Sequence, residues 1–353
     1  MKRTETLQHF HHTIQARIHR LDFSALWPGF RPTRFALYDD KRACVDGQLM
    51  GKPAHFYGNT ALAHEGETIA IWYLDKRSEA RDIDALSASI VHEMFHAYQT
   101  ACNDTRAPHE WKALALEPNA DNLTRKHQEN QALAALLDAP DVEAFMRFGR
   151  MRAHRQALHP QAFAYEAGIE THEGLAQYVE WRALEMLSAS EARAQRREAS
   201  SRLRHIDRLW PARHNHYDIG AAMAWVADAL DVPFKHDLAG ETRPLYAVIF
   251  DVAEPQECPV KPNASINALV QDANADAQAR IDDVLNKPHH CQQGAFQLAG
   301  FDPFNTVKRG HYVHVNHIFA YTEGDDTRYI YGPSVIEVGD TMDIRAIYVP
   351  RKP

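Results

Sequence analysis

Cysteine is scarce in this chain of 353 residues, and its spacing excludes a disulfide-rich scaffold. Four cysteines are spread along the sequence without a C-x-x-C pair: Cys44, Cys102, Cys258 and Cys291. Small secreted domains carry dense, paired cysteines, so these four are expected to be free thiols in a reducing compartment. The run His289-His290-Cys291 is a rival metal cluster. A loop is expected there instead, because adjacent side chains rarely point at one ion.

Long apolar runs are also missing. No stretch of about 18 consecutive apolar residues occurs, which excludes a typical transmembrane helix. Residues 1–27 carry apolar side chains at helical spacing, without the continuous apolar core of a secretory signal. We therefore predict no membrane association and a cytoplasmic location.

An excess of basic charge is lacking as well. The chain has 39 Lys and Arg against 47 Asp and Glu, a formal net charge of −8. Nucleic acids and anionic membranes select basic surfaces, so neither is expected as a main partner. A length of 353 residues suggests two domains, or one large domain with an appendage. The composition does not indicate whether the chain is a monomer or an oligomer.

Histidine, in contrast, is abundant, with 22 residues, and two of them belong to an H-E-x-x-H motif at residues 92–96. The stretch Asp84–Thr100 is predicted to be a helix, in which residues four apart lie on one face. His92 and His96 can therefore reach one metal ion, and zinc accepts imidazole nitrogen in a tetrahedron of four ligands. Glu93 can stand beside the metal and take a proton from a water molecule that the metal activates.

A histidine-rich chain can match this motif by chance, so its context has to support it. The rest of the helix surface is almost continuously apolar: Leu86, Ile90, Val91, Met94, Phe95, Ala97 and Tyr98. Such a helix is expected to be buried at the centre of the fold. Buried histidines need a metal or hydrogen bonds. The alternative is a pair of core histidines bonded to backbone carbonyls.

A second segment, Thr171–Glu180, can supply the third protein ligand that a catalytic zinc site needs. Its pattern predicts a helix that Thr171 caps, with Glu173 in the first turn and Gly174 allowing another backbone to approach closely. Glu173 is the favoured ligand. Three neighbours are alternatives: Glu166, Glu170 and His172.

H-E-x-x-H followed by E-G-x-A-x-Y at residues 173–178 resembles the gluzincin metallopeptidases, thermolysin-like zincins whose third zinc ligand is a glutamate. The resemblance covers roughly residues 60–230. It implies a zincin-like fold, a peptide or protein substrate and one Zn²⁺ per chain, bound by His92, His96 and Glu173 with Glu93 as general base.

The chain departs from thermolysin in two ways, which indicates a divergent branch. Thermolysin has an aspartate four residues after its glutamate ligand, where this chain has Gln177, and the gap from His96 to Glu173 is longer here. Metzincins are excluded, because their third histidine would fall at Cys102.

Residues 214–220 are the candidate source of a hydrogen-bond donor to the oxyanion of a tetrahedral intermediate. Their Tyr-x-x-Gly pattern before an apolar helix is similar to that of such peptidases, which favours Tyr217, with His214 and His216 as alternatives. Otherwise Tyr217 only packs and the histidines lie on a solvated loop. Two acids could accept the second ring N–H of a metal-bound histidine: Glu180 and Asp218.

The order of predicted elements gives an α+β class. Residues 1–235 are expected to form a zincin-like domain, with a mixed sheet up to about residue 82 and helices from about 83. The predicted elements before the central helix are a helix over about 4–20 and strands at Thr33–Tyr38, at Ala43–Met50 with a turn at Asp46-Gly47, and within 54–74. The run Thr68–Leu74 is either an edge strand that aligns a peptide substrate or an interior strand.

Residues 236–353 are expected to form a C-terminal α+β domain of unknown role. The predicted elements are a strand at Leu245–Val252, a helix over 266–284 and strands at His311–Tyr321, Arg328–Val338 and Met342–Val349. This part can complete the active-site cleft, bind a partner or serve packing alone.

The motifs together indicate zinc-dependent hydrolysis of peptide bonds, with Glu93 as general base and Tyr217 at the oxyanion. Two other functions stay open. One is a structural or regulatory zinc site without peptidase activity. The other is partner binding by the C-terminal part on a zincin scaffold.

Overall fold

A computed structural model of the chain describes residues 3–351 apart from 115, 212, 252–253 and 325, and residues 3–6, 112 and 214 in backbone only. Helices and two sheets are both present, so the predicted α+β class is confirmed. No described helix combines the length and the apolar character that crossing a bilayer requires.

The N-terminal part is a five-stranded sheet preceded by helices. Its elements are α1 (Arg3–Ile18), α2 (Phe23–Leu26), β1 (Phe35–Tyr38), β2 (Arg42–Val45), β3 (Gln48–Gly51), β4 (Thr60–His64) and β5 (Glu67–Tyr73). The strand order is β3-β2-β1-β5-β4. Only β1 and β5 are parallel, so this sheet is mixed, as predicted. The predicted Asp46-Gly47 turn joins β2 to β3, and both residues have the positive φ that such a turn requires.

The run predicted at Thr68–Leu74 is β5, which lies inside the sheet between β1 and β4. Of the two alternatives, the edge strand is therefore wrong and the interior strand is right. The edge on this side is β4, which is antiparallel to β5.

The middle of the chain is helical, as predicted. Its helices are α3 (Lys76–Glu79), α4 (Ile83–Ala101), α5 (Glu110–Ala113), α6 (Ala120–Asp138), α7 (Val142–Leu158), α8 (Pro160–Leu187), α9 (Ala189–Leu203) and α10 (Arg213–Ala229). The carboxylate of Asp82 caps α4 by accepting the backbone N–H groups of Asp84 and Ala85. α4 packs between β5 and α8. Most of its apolar side chains are buried, so the prediction of a central helix is confirmed.

The predicted helix start at Thr171 is wrong. α8 begins eleven residues earlier at Pro160, so Thr171 and Glu173 lie in its middle. The Thr171 hydroxyl donates to the carbonyl of Ala167 at 2.6 Å and accepts the N–H of Leu245 at 2.8 Å. A threonine can sit inside a helix when its hydroxyl bonds one turn back in this way. α10 likewise begins before residues 214–220, which are therefore helical and not a loop.

Two glycines allow α8 and α10 to cross closely. A Cβ on Gly174 would lie 2.5 Å from the Cα of Gly220, and a Cβ on Gly220 would collide with the carbonyl of Glu170. The prediction that Gly174 lets another backbone approach is confirmed.

The C-terminal part is a seven-stranded antiparallel sheet with a long helix packed against it. Its elements are α11 (Leu245–Phe250), α12 (Ala264–Leu285), β6 (His289–Phe301), β7 (Thr306–Arg309), β8 (Tyr312–Val315), β9 (Ile318–Glu323), β10 (Asp326–Tyr331), β11 (Ser334–Val338) and β12 (Ile344–Pro350). The strand order is β10-β9-β6-β12-β11-β8-β7.

Two predictions in this part are wrong. The run Leu245–Val252, predicted to be a strand, forms α11 up to Phe250, and Val252 lies outside the described residues. The residues His289-His290-Cys291 are not a loop, because they begin the 13-residue strand β6. The predicted runs His311–Tyr321 and Arg328–Val338 each cover parts of two strands that are separated by two residues.

One side chain from the helical part anchors the C-terminal part. Trp111 of α5 lies in the core of the second sheet with Phe296, Phe319 and Met342. Its indole N–H donates to the carbonyl of Met342 at 2.9 Å. The residue before it, Glu110, belongs to the candidate site, so the two parts meet beside that site.

Candidate metal site

α4 and α8 bring the three predicted metal ligands together. Nε2 of His96 lies 3.1 Å from Nε2 of His92 and 3.2 Å from Oε2 of Glu173, and the remaining distance, from His92 to Glu173, is 3.8 Å. Four ligands bound to zinc at about 2.0–2.1 Å in a tetrahedron lie roughly 3.3 Å from one another. The triangle therefore has the size that one zinc ion requires.

The orientation of His96 is set by Gln99. The Gln99 amide nitrogen donates to the carbonyl of His172 at 3.0 Å, so the amide oxygen faces Nδ1 of His96 at 2.7 Å and accepts its proton. In a neutral imidazole the other nitrogen, Nε2, then carries the lone pair that a metal binds.

His92 has an acidic neighbour on the side away from the triangle. Its Nδ1 lies 3.3 Å from Oε2 of Glu180, although the angle is poor for a hydrogen bond. Glu180 is held by Ser89, whose hydroxyl donates to it at 3.0 Å. The other predicted acceptor, Asp218, instead forms two 2.7 Å hydrogen bonds with Arg202.

The electrostatics of the cluster favour a cation. Burial alone lowers the pKa of His92, but the carboxylates of Glu173 and Glu180 outweigh it and raise this pKa to about 10. Burial raises the pKa of Glu173, yet both histidines pull it far below its ordinary value. Positive charge is therefore favoured between these groups, either as protons on the histidines or as a metal ion in their place, and the residues present fit a divalent metal.

Glu93 lies beside the triad in a buried position. The residue is 9% exposed, and its carboxylate interacts electrostatically with His92, His96 and Glu173. Burial raises its pKa above the ordinary value, against the effect of the histidines. A raised pKa makes a carboxylate a better base near neutral pH.

Arg213 holds the second oxygen of Glu173. Its guanidinium donates to Oε1 of Glu173 at 2.9 Å and to the hydroxyl oxygen of Tyr217 at 3.3 Å. It also pairs with Glu110, whose other oxygen accepts the Tyr165 hydroxyl at 2.9 Å. Glu173 is therefore fixed with one oxygen toward the arginine and the other toward the histidines.

Tyr217 lies at the cluster, as its prediction requires. Its ring is nearly parallel to that of His92, with 6.5 Å between centroids. Burial, and next the Glu173 carboxylate, raise the pKa of its hydroxyl well above the ordinary value. The hydroxyl therefore stays protonated at neutral pH and can donate a hydrogen bond.

The alternatives to these residues lie elsewhere. His216, Glu166 and Glu170 belong to a group, which we call the buried ion network, whose members are at most 3% exposed: Lys126, Glu129, Arg152, Arg155, Glu166, Glu170 and His216. Nδ1 of His216 donates to Glu170 at 2.9 Å, and its Nε2 faces the ammonium of Lys126 at 3.3 Å. The side chain of His214 lies outside the described residues.

His172 packs on the cluster and is not one of the three converging ligands. Its ring stacks on that of His96, with 4.7 Å between centroids. Burial, followed by the neighbouring His96, lowers its pKa to about 4, so it is neutral at pH 7.

Sequence reasoning missed the supporting residues Gln99, Arg213 and Glu110. Gln99 lies three residues after His96 on the same helix, and this spacing could have indicated that its side chain reaches the His96 ring. The other two gave none, since Arg213 and Glu110 lie 103 positions apart along the chain. Comparison of the chain with models of known protein families, with curated proteins and with solved structures finds no match. The function therefore has to be inferred from the site itself.

Proposed function

We propose that the protein is a zinc-dependent peptidase of gluzincin type. One observation carries this proposal. Two imidazole nitrogens and a carboxylate oxygen lie 3.1–3.8 Å apart on two buried helices, beside the buried carboxylate of Glu93.

His92, His96 and Glu173 would hold the ion. Zinc bound there would supply a Lewis acid that lowers the pKa of water and polarises a substrate carbonyl. Structural zinc sites have four protein ligands, whereas catalytic sites have three and keep one position open. Within the described part of the chain the cluster has three donors, which favours catalysis over a structural role.

Glu93 would act as the general base. Its buried carboxylate takes the proton from the attacking water and later passes it to the leaving amine. Both transfers require the carboxylate to lie near the water oxygen first and near the amine nitrogen afterwards. The neighbouring histidines oppose the rise in its pKa that burial causes, which favours the ionised form that a base needs.

Tyr217 would donate a hydrogen bond from its hydroxyl group to the oxyanion. Arg213 donates to the oxygen of this hydroxyl, so the tyrosine proton is not used in that bond, and a substrate oxyanion would take it over from Glu173. The arginine also places positive charge next to the place where negative charge develops.

A peptide substrate would align along β4. This strand is an edge of the first sheet, and it packs against α4, which carries both histidines. Main-chain pairing to a sheet edge is a general mode of peptide recognition. We further propose a cytoplasmic location, which the four free thiols support.

The test combines metal analysis with the variant Glu93→Gln. We expect one zinc per chain in both proteins, and loss of zinc in His96→Ala. Hydrolysis of a mixed peptide library should fall by at least about 100-fold in Glu93→Gln, while the surface control Glu143→Gln, whose side chain is 84% exposed, should match wild type. Unchanged turnover in Glu93→Gln would remove this residue from the mechanism. Purification with iron, which the same donor set also binds, would contradict the zinc assignment.

A further inference from the structure

A cavity of about 110 Å³ lies where the helical part meets the C-terminal part. Most of its wall is apolar and comes from both parts. The helical part contributes Leu116, Leu123 and Trp210, and the C-terminal part contributes Ala273, Ala277 and Val307.

The polar corner of this cavity adjoins the candidate metal site. Glu110, Tyr165 and Arg213 line it. Arg213 also donates to the carboxylate of Glu173 at 2.9 Å, so one residue borders both the cavity and the metal triad. Its Cζ lies 5.2 Å from the ring centroid of Phe304, a residue of the C-terminal part.

We propose that this cavity is a subsite that receives one apolar side chain of the peptide substrate. The proposal rests on the proposed peptidase function and adds a substrate preference to it. It also assigns a role to the C-terminal part, which then completes the cleft by supplying one wall of the subsite.

The charges at the polar corner are already paired with one another and so do not favour an ionic occupant there. Glu110 accepts hydrogen bonds from both Arg213 and Tyr165, and Arg213 is shared between Glu110 and Glu173. A charged ligand group would have to displace these pairs, whereas an apolar group leaves them intact.

The size of the cavity limits the occupant. Apolar cavities of about 150 Å³ bind benzene. A cavity of about 110 Å³ is smaller, so it suits an aliphatic side chain such as that of valine, leucine or methionine better than a tryptophan ring.

Two substitutions on α12 provide a matched test. Ala273 is half-buried and lines the cavity, while Ala275 is exposed on the same helix and does not line it. Ala273→Leu fills the cavity, and Ala275→Leu makes the same chemical change outside it. Leucine favours a helix nearly as well as alanine, and equal thermal midpoints of the two variants establish that both are folded.

Binding is measured by calorimetry in a zinc-loaded Glu93→Gln background, which should bind peptides without cleaving them. The probes are blocked tripeptides that carry glycine or leucine at one position at a time. At one position we expect leucine to bind about 10- to 100-fold more tightly than glycine. Ala273→Leu should abolish this ratio and Ala275→Leu should preserve it.

An unchanged ratio in Ala273→Leu, or equal binding of the glycine and leucine peptides throughout, overturns the subsite. If the ratio depends on Ala273 but the wild-type protein cleaves no peptide, the subsite stands and the peptidase proposal fails. If the wild-type protein cleaves peptides but binds the leucine and glycine peptides equally, the peptidase proposal stands and the subsite fails.

Discussion

The helical part and the C-terminal part are both closely packed, but they bury different chemistry. Between α6, α7, α8 and α10 the interior holds three cations and three carboxylates of the buried ion network, each at most 3% exposed. In the described residues of 264–351, by contrast, no Asp, Glu, Lys or Arg is buried, and the buried polar residues are Thr306, His314 and Ser334.

This difference indicates where exact placement of helices matters. Burying a charge is costly, and apolar packing usually stabilises a core as well or better. The network holds α8 through Glu166 and Glu170, and α10 through His216. These helices carry Glu173 and Tyr217 one turn or less further on. The charged interior thus lies directly behind the candidate site, while the second sheet is held mainly by apolar contacts.

Breaking the network should have the largest effect on stability. Arg155→Met leaves Glu129 and Glu166 buried without the cation that donates to them at 2.8 and 2.5 Å. We expect the free energy of unfolding to fall by about 3–5 kcal/mol. The matched change Arg280→Met breaks an exposed pair with Asp276 in the C-terminal part and should cost less than about 1 kcal/mol. Denaturant titration compares them, and equal losses would erase the contrast.

A smaller effect is expected on metal affinity. Gln99→Met removes the acceptor of the His96 Nδ1 proton, so the ring is no longer held with Nε2 toward the ion. Zinc affinity should fall about 10- to 100-fold, measured by competition with a chelator of known affinity. Gln177→Met is the control, since Gln177 is the glutamine on α8 four residues after Glu173, while the neighbours of the two histidine Nδ1 atoms are Gln99 and Glu180. A greater loss in Gln177→Met would reverse this assignment.

The smallest effect is expected on the pH dependence of the free energy of unfolding, for which one buried histidine from each part can be compared. Burial lowers the pKa of both His172, to about 4, and His314. Between pH 7 and pH 5 the unfolded chain takes up a proton at His172, near pKa 6.5, that the folded chain does not, and at His314 the folded chain takes up its proton at a lower pH than the unfolded chain. Stability therefore falls as the pH falls. His172→Phe keeps a ring against His96 and should remove about 1–2 kcal/mol of that fall, measured with chelator present. His314→Phe should remove less. A pH dependence identical to wild type in His172→Phe would mean that His172 takes up its proton over the same pH range in the folded and the unfolded protein.

Local pattern was sufficient to predict α1, α4, α12 and the β2-β3 hairpin, because each is defined by apolar spacing or turn residues that lie close together. It failed where the same pattern suits two structures. The apolar run in α11 fits a strand or a helix, and contacts with α7 and α8 accompany the helix. Thr171 resembles a helix cap, but the N–H of Leu245, 74 positions away, bonds its hydroxyl instead.

The same division runs through the candidate site. The spacing of His92, Glu93 and His96 on one helix is a property of the chain itself, since a helix places residues four apart on one face whatever surrounds it. Which acid completes the triangle, and which groups orient the ligands, depended on folding. The carboxylates of Glu166, Glu170 and Glu173 belong to one helix, and only the packing of α8 against α4 and α10 turns one of them toward the histidines and the others into the ion network.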